Sequence, residues 1–394
     1  MNKLRLSAAI IVTFSSSYSM AASYSIDARG DAMGGVGVVS ASYLTAPFYN
    51  PAMGAIYRRN DDAGMLLPGV GISYNDENQL IDNIDTMADL ISGVDLNDSS
   101  TFTQEKIDEL DAVMNDMEGD NARVEFGVVA AFGIPNPYIS TTIFGKAYAE
   151  SFIAPDIATS NDSLTEQAAI ADRASRSTVN AVSIGILEAG ASLAKYQTVF
   201  GQHMSFGVTP KFQRINTYIY SASVESYDLK DVFENSTSES TFNLDVGALW
   251  FYGPFRVGFA GTNLVSRDIE TQVSTTSSGS TQSYTYQLRP QYTIGAGFVA
   301  DYFSLSADYD VTEDKRFDQF EDNTQWVRVG MEIDIMRQLQ LRAGYKLNLA
   351  YEDSDGTVTG GLGISPLGLF ELDLAVSYTN EDSMGAYANF LATY

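Results

Sequence analysis

The feature that most constrains how this chain can fold is a repeated alternation of apolar and polar residues. In Phe303–Val311 every odd-numbered position is apolar, and every even-numbered position is serine or aspartate. Leu339–Leu349 and Phe370–Tyr378 alternate in the same way. A period of two is that of a β-strand, because successive side chains of a strand point to opposite faces of the sheet. The sequence therefore predicts many strands, each with one apolar face.

The connections between these segments are alternately very short and long. Short ones include Pro135–Pro137 and Tyr252–Pro254, whereas Pro155–Arg176 and Ser266–Ser283 are long and polar. Outer-membrane barrels have this order, with short periplasmic turns and longer extracellular loops. The sequence thus predicts an all-β fold, a transmembrane antiparallel β-barrel of about 14 strands, formed by residues 64–394.

The two ends of the predicted barrel are Gly64–Tyr74, taken as the first strand, and Met384–Tyr394. The last segment ends on an aromatic residue, with Phe390 on the same face. This ending resembles the signal that outer-membrane barrels present to the barrel assembly machinery, which we therefore expect as a partner through residues 384–394. The alternative is an ordinary edge strand of a soluble sheet.

If the apolar faces contact outer-membrane lipid, the opposite faces place many charged residues in the lumen. These are Asp245, Arg256, Asp308, Asp310, Arg328, Glu332, Asp334, Arg342, Lys346, Glu371 and Asp373. Opposite charges on neighbouring strands can pair there, where an uncompensated charge would be costly. The alternatives are a polar path for a solute, or contacts that hold a plug. This mixture of charges argues against a wide apolar tunnel through the barrel centre.

The N-terminus predicts export. Lys3 and Arg5 precede an apolar stretch, and small residues around Ala21 and Ala22 suit a cleavage site, so residues 1–22 are predicted to be a secretory signal peptide. The net charge of −27 argues against nucleic acid as a partner, because phosphate binding needs clustered Lys and Arg. The absence of cysteine excludes thiol chemistry and disulfides.

Residues 78–119 interrupt the strand pattern. Apolar residues recur there at helical spacing in two stretches, which predicts a helical pair inserted after the first strand. Strand parity places this insert at the extracellular end. The alternative is that it folds into the mouth of the barrel.

Residues 23–63 contain the most distinctive motifs. Gly34 and Gly35 lie in a glycine-rich stretch, and Phe48 comes shortly before an Asn50-Pro51-Ala52 turn. A nucleotide-binding loop is a poor interpretation of the glycines, since their spacing is not GxGxxG. The Asn-Pro-Ala element resembles the N-terminal hatch of the FadL-type family of outer-membrane transporters for long-chain fatty acids and other hydrophobic compounds. That resemblance implies a plug inside a fourteen-stranded barrel.

A closer resemblance is to the FadL-related group of TraF-like conjugal transfer proteins. Leu288–Tyr292, Leu341–Tyr345 and Gly361–Pro366 are similar to stretches of that group. A thioredoxin-like conjugation protein of the same name has a different fold, and a chain without cysteine cannot be a working disulfide enzyme.

The leading functional hypothesis is passive uptake of a hydrophobic small molecule such as a fatty acid. The resemblance assigns the hatch and possible ligand contacts to Gly34, Gly35, Phe48, Asn50, Pro51 and Ala52. The rival hypothesis is a non-catalytic barrel that acts as a component or scaffold of a conjugation or secretion apparatus. An enzyme built on the single histidine, His203, would need serine and acid partners that no motif supplies. We therefore expect no catalytic residue, cofactor or metal.

Two prolines within predicted strands, Pro210 and Pro290, are candidates for a local defect in the wall, because proline removes a ladder hydrogen bond. Their position near the outer interface favours a harmless end of pairing over a functional gap.

Overall fold

The computed structural model describes residues 26–58, 61–76, 78–92, 103–161, 163–223, 236–275, 281–317, 323–351, 354–366 and 369–393. The predicted signal peptide and Tyr394 lie outside these residues.

A closed antiparallel barrel of fourteen strands forms the body of the protein, which confirms the predicted fold class. Its strands are β1 (Gly64–Asn75), β2 (Ala122–Ile134), β3 (Ser140–Asp156), β4 (Thr178–Val199), β5 (Gln202–Ser223), β6 (Ser236–Tyr252), β7 (Phe255–Thr262), β12 (Gln291–Val299), β13 (Phe303–Asp310), β14 (Trp326–Ile335), β15 (Leu339–Asn348), β16 (Thr357–Ile364), β17 (Phe370–Asn380) and β18 (Ser383–Thr393). Neighbours in sequence are neighbours in the barrel, and β1 pairs with β18 to close it.

Four short strands lie between β7 and β12, and the helices lie outside the barrel ladder. The short strands are β8 (Arg267–Glu270), β9 (Ser274–Thr275), β10 (Thr281–Gln282) and β11 (Thr285–Leu288). The helices are α1 (Ala28–Ala32), α2 (Ala46–Tyr49), the 3-10 helix Pro51–Ala55, α3 (Leu80–Ser92), α4 (Gln104–Met117) and α5 (Glu166–Arg176). None of the helices in the described residues is long and apolar enough to cross a membrane.

The wall has the two faces that the alternation predicts. On β13, Ser304 and Ser306 are buried towards the lumen, whereas Phe303 and Leu305 are exposed on the outside. The other strands carry a similar outward apolar band, as β17 does from Phe370 onward. Because water would not stabilise such a band, the outer face is that of a barrel spanning a bilayer. We call the end with the short turns the turn end, and the opposite one the loop end.

The strand pairing of the wall is irregular near proline residues. The sequence pointed to two of these prolines, Pro210 and Pro290, but not to Pro68. In β1 the pairing with both neighbours shifts register around Pro68 and Gly69, which makes a β-bulge that the sequence did not reveal. At Pro210 the β4–β5 ladder is interrupted between the Gly190–Lys211 and Leu193–Val208 pairs. Pro290 is not within a strand, since β11 ends at Leu288 and β12 begins at Gln291. The predicted strand there was too long.

The helices α3, α4 and α5 form a bundle on the outer surface of the barrel at the loop end. Their apolar faces pack together and against wall residues that point away from the lumen. Those wall residues are Ala122, Ile153, Val179 and Ala181. The insert therefore does not fill the barrel mouth. The third helix, α5, lies within Pro155–Arg176, which the sequence predicts only as a long polar connection.

Two loops at the loop end fold together into what we call the cap, residues 263–275, 281–290 and 311–317. Strands β8 and β11 form a hairpin sheet, and Phe317 is bridged to Tyr286. The Gln287 amide also donates to the Arg316 carbonyl over 2.6 Å. These contacts join two loops that are separated by two barrel strands, so the cap is one packed unit.

Candidate ligand path and its plug

The region before β1 lies inside the barrel. We call residues 26–57 the N-terminal segment; most of them are buried. Helix α1 lies against β15–β18, whereas the 3-10 helix lies against β4–β6. The N-terminal segment therefore reaches opposite sides of the inner wall.

Glycines of the inner wall make room for this segment. A Cβ on Gly207 would overlap Pro51, and one on Gly247 would overlap the side chain of Asn50. On the opposite side, Gly330 and Gly344 leave the space that the Met33 backbone occupies. Any larger residue at these positions would displace the N-terminal segment, so the glycines allow its close packing against the wall.

The Asn50 side chain fastens one end of the N-terminal segment. Its amide nitrogen donates to the carbonyl oxygens of Val38 (2.8 Å) and Ala248 (3.3 Å), and its oxygen accepts from the Ala52 amide at 3.0 Å. Ser205 on β5 donates to the Ala52 carbonyl over 3.0 Å. Asn50 is fully buried, so this arrangement gives it a structural role within the wall contact.

Further wall residues bind the backbone of the segment. The Asp308 carboxylate accepts from the amides of Gly37 (2.7 Å) and Val38 (3.0 Å). Arg256 donates to the Val39 carbonyl over 3.0 Å. Thus two of the predicted lumen charges hold the N-terminal segment by its own peptide groups, which are obligatory hydrogen-bonding groups when buried.

A cluster of charges holds helix α1. Arg29 forms two hydrogen bonds of 2.9 Å with Glu332, and Arg342 contacts Glu332 at 2.7 Å and Glu371 at 2.9 Å. Arg342 also pairs with Asp373. Burial raises the pKa of the nearby Asp27 carboxyl, and the attraction of Arg29 offsets this only in part. Four of the charges predicted for the lumen thus meet in one network with the plug.

A polar vestibule of about 210 Å³ opens above the N-terminal segment. Its lining includes Asp31, Gly34, Gly35 and Phe48 from that segment. The wall adds charged residues, namely Arg123, Glu125, Asp308, Asp310, Arg328 and Lys346. Burial raises the pKa of Asp31 well above its usual range. Of the six residues that the sequence singled out in the hatch, Gly34, Gly35 and Phe48 therefore line the vestibule.

Most of these charged wall residues interact with an oppositely charged or aromatic side chain. Arg328 and Asp310 form two hydrogen bonds of 2.8 and 2.9 Å. Lys346 lies 5.0 Å from the centre of the Trp326 ring, within the range of a cation–π interaction. Outside the vestibule, Asp245 pairs with Lys211 at 2.9 Å. Asp334, which the sequence placed among the lumen charges, accepts a hydrogen bond from the backbone amide of Arg337 in the turn between β14 and β15.

The inner wall of β3–β5 carries an apolar strip that the sequence analysis did not foresee. The strip comprises Phe144, Tyr148, Phe152, Val182, Ile184, Ile186, Ile215 and Ile219. Towards the loop end, the strip is covered by four residues of the cap: Tyr284, Tyr286, Leu288 and Phe317. Towards the turn end, the strip contacts Leu44 and Phe48 of the N-terminal segment. The lumen charges lie mainly on other strands. One sequence signal was available, since Val182, Ile184 and Ile186 share the inner face of β4, within a segment, 178–186, that is buried throughout.

A buried ion pair crosses the apolar strip. Arg316 of the cap contacts the Glu150 carboxylate on β3, and both side chains are almost completely buried. Arg123 lies 3.2 Å from the same carboxylate and 4.5 Å from the centre of the Phe152 ring. The cap is therefore held to the opposite wall by an ion pair as well as by apolar contacts.

His203 belongs to an aromatic cluster at the turn end. Its Nδ1 atom lies 2.6 Å from the Tyr196 hydroxyl, and its ring stacks on those of Tyr196 and Phe251 at centroid distances of 5.9 and 5.8 Å. These partners are not a serine and an acid, so the cluster has none of the geometry of a hydrolase triad.

The fold and its interior define a class: a membrane-spanning β-barrel with its own N-terminal segment packed inside it. The chain belongs to the family described as "F plasmid transfer operon, TraF, protein", whose model matches residues 47–310. Comparison with curated protein sequences gives no match.

Several solved structures share the fold. The toluene transporter TbuX of Ralstonia pickettii is 13% identical with a TM-score of 0.52, covering 93% of this chain and 97% of that one. A FadL homologue of Pseudomonas aeruginosa is 12% identical with a TM-score of 0.53, covering 96% and 99%. A TodX deletion mutant, a monoaromatic hydrocarbon channel, is 11% identical with a TM-score of 0.53, covering 93% and 97%. The suspected likeness to both the FadL-type and TraF-like groups is confirmed.

Proposed function

We propose that the protein is an outer-membrane channel for the passive uptake of a small hydrophobic molecule. The observation that carries this proposal is the apolar strip, which extends from the cap to Phe48 of the N-terminal segment and is crossed by the Arg316–Glu150 ion pair. Contact with such a surface lowers the free energy of a hydrophobic solute by about 25 cal/mol per Å² of apolar area removed from water. Transport of this kind needs no catalytic residue.

The orientation follows from the connections. Short turns face the periplasm and long loops face the outside in barrels of this type, so the cap and the vestibule are extracellular. In this proposal, residues 1–22 act as the signal peptide that directs export. The barrel assembly machinery then recognises residues 384–394.

Passage requires two displacements. The solute first separates the cap from β3–β5, where Tyr286 and Phe317 now occupy the surface it would contact. It then meets the N-terminal segment, which closes the route to the periplasm. The polar vestibule beside the strip suits water and the polar end of an amphipathic solute better than an alkyl chain.

The substrate class draws support from the fold relatives. Two of them are a toluene transporter and a monoaromatic hydrocarbon channel. The strip is rich in aromatic and branched side chains, which suits a monoaromatic compound as well as the alkyl chain of a fatty acid.

Uptake assays on matched variants of β4 test the proposal. Ile184 points into the strip and is buried, whereas Leu187 faces outward and is 44% exposed. Ile184→Trp should fill the strip and reduce uptake of labelled toluene or hexadecanoate several-fold, whereas Leu187→Trp should leave it unchanged. Different gel migration of boiled and unboiled samples verifies that both variants form barrels. Equal uptake by both variants and by the wild type would sink the proposal.

A second function has one observation in its favour, namely the family description that refers to a plasmid transfer operon. In this alternative the barrel is a non-catalytic component or scaffold of a conjugation or secretion apparatus. A deletion strain that loses DNA transfer but takes up both labelled compounds normally would favour the scaffold over the channel.

A further inference from the structure

The aromatic rings around His203 face the lumen at the turn end of the barrel. Ser205 points inward, because its hydroxyl donates to the Ala52 carbonyl, and His203 has the same parity on β5. The β5–β6 register places Phe251 opposite His203. The β4–β5 register places Tyr196 opposite Ser205. All three rings therefore lie inside the wall and not on its lipid-facing side. We call Tyr196, His203 and Phe251 the mouth cluster.

The mouth cluster lies on the turn-end side of the contact between the plug and the wall. On β6, the inward residue Gly247 makes room for Asn50. The next inward residue, Leu249, belongs with Met53 to a buried apolar cluster, and the Phe251 ring packs against it. We call this cluster around Met53 and Leu249 the seat cluster. A solute that passes the plug beside β6 therefore meets the mouth cluster before it reaches the periplasm.

Apolar contacts also connect the mouth cluster with the apolar strip. The Tyr49 ring packs both against the seat cluster and against the larger apolar cluster that contains the strip. Phe48, at the foot of the strip, directly precedes Tyr49. Once the N-terminal segment is displaced, a hydrophobic solute therefore has apolar side chains beside it from the cap, past the Asn50 turn, to Phe251.

The three rings form a fixed and partly open surface. Their centroids are 5.9, 6.0 and 5.8 Å apart, and the His203 ring is inclined by only 21° and 23° to those of Tyr196 and Phe251. The Tyr196 hydroxyl lies 2.6 Å from Nδ1 of His203, which fixes these two rings relative to each other. Tyr196 is 40% exposed, and His203 is exposed as well. Such rings bind a flat apolar ring by offset stacking, and little freedom is lost because the wall already orders them.

We propose that the mouth cluster is a binding site for the ring of a monoaromatic compound, which it receives on the periplasmic side of the plug. This inference rests on the proposed function, because it adds a site to the route of the same channel. The inward residues beside the rings, Thr198 and Ser205, are small, so a ring-sized ligand can also approach the mouth cluster from the periplasm. An alkyl chain has no flat face to stack there.

The single histidine of the chain makes this site directly observable. Protein with isotope-labelled histidine, held in detergent micelles, gives one set of imidazole signals, and toluene is the probe. Toluene should shift the ring protons of His203 upfield in a saturable way, because they lie in its ring current. Cyclohexane, which has a similar size but no ring current, should shift them far less. A toluene shift that does not saturate would overturn the proposal.

Matched variants of two phenylalanines locate the binding. Phe251→Leu removes one ring of the mouth cluster, so half-saturation of the His203 shift should need several-fold more toluene. Phe255→Leu is the control, since Phe255 lies at the same end of the barrel but faces outward and is 56% exposed. It should bind toluene as the wild type does. Equal half-saturation in the two variants would contradict the site.

A third variant separates ligand binding from a role in holding the plug. Among the described residues, Tyr196 is not one of those that pack against the seat cluster. Tyr196→Leu should therefore weaken toluene binding several-fold, while hydrogen exchange of amides 51–56 stays as in the wild type. Faster exchange together with unchanged toluene binding would assign the mouth cluster to the plug alone and overturn the proposal.

The Ile184→Trp variant keeps this inference distinct from the proposed function. In micelles toluene reaches the mouth cluster from the turn end, so the His203 shift should persist in this variant. A persisting shift with unaltered uptake would support the site and sink only the channel. Uptake that depends on Ile184, without any saturable shift at His203, would sink only the site.

Discussion

Asn50 and Gly247 fit together so closely that a Cβ on the glycine would overlap the side-chain oxygen of the asparagine. The contact joins the N-terminal segment to the middle of β6, 197 positions further along the chain by the residue numbers. It makes the seating of the plug depend on the absence of one methyl group from the wall.

Gly247→Ala is expected to displace the Asn50 turn without preventing closure of the barrel. The displaced plug should raise the single-channel conductance in planar bilayers and the sensitivity of cells to large antibiotics. Gly145→Ala is the matched control, since a Cβ there has no neighbour within 4 Å. Unchanged conductance for Gly247→Ala would mean that the N-terminal segment accommodates the methyl group.

Asn50→Ala should loosen the N-terminal segment. The substitution leaves two buried carbonyl oxygens and the Ala52 amide without the partners they have now. Each such loss costs about 1–3 kcal/mol, so hydrogen exchange of amides 37–53 should accelerate by at least tenfold.

Asn50→Asp should accelerate that exchange at least as much as Asn50→Ala. The new carboxylate would keep the accepted bond but would face two carbonyl oxygens with a buried charge. Slower exchange than in Asn50→Ala would contradict the assigned orientation of the amide.

Arg342→Met should destabilise the protein by about 3–5 kcal/mol, because it removes one cation from a buried network and leaves Glu371 and Asp373 uncompensated, whereas Glu332 keeps its pair with Arg29. All three carboxylates that contact Arg342, namely Glu332, Glu371 and Asp373, lose one ion pair. The measurement is urea unfolding in lipid vesicles.

The control for Arg342→Met is Arg176→Met on α5. That arginine is 40% exposed and pairs with Asp172 one helical turn away, and exposed pairs contribute less than about 1 kcal/mol. Comparable losses in the two variants would remove the distinction between the buried network and a surface pair.

Asp85→Asn should stabilise helix α3 at neutral pH. Burial, followed by repulsion from Asp82 and Asp89, raises the pKa of Asp85. A carboxyl with a raised pKa in the folded state destabilises that state once it is ionised. The penalty is absent below the ordinary aspartate pKa of about 3.9 and complete above the raised value.

Slower hydrogen exchange of residues 80–92 in Asp85→Asn is therefore expected at pH 7, with no difference from the wild type at pH 3.5. A difference of the same size at both pH values would show that helix propensity, and not charge, is the cause.

The sequence by itself determined the wall of this protein. Alternation with period two specifies which residues of β13, β15 and β17 face lipid, and the lengths of the connections specify the order of turns and loops. These are local properties, because each strand carries its own pattern, and a one-residue slip would turn every apolar side chain to the wrong face. The helical spacing within 78–119 is local in the same sense.

Only the tertiary structure decided how the interior and the loop end are arranged. Arg29 meets Glu332 across 303 positions, and Arg316 meets Glu150 across 166. No periodicity connects such residues, since their encounter depends on how the barrel closes and on where the cap folds across it. The apolar strip was hidden for the same reason: it assembles from three strands, β3–β5, and is covered by two loops and the N-terminal segment. The helical bundle lies outside the wall because the upper parts of β2–β4 offer it an apolar outer face.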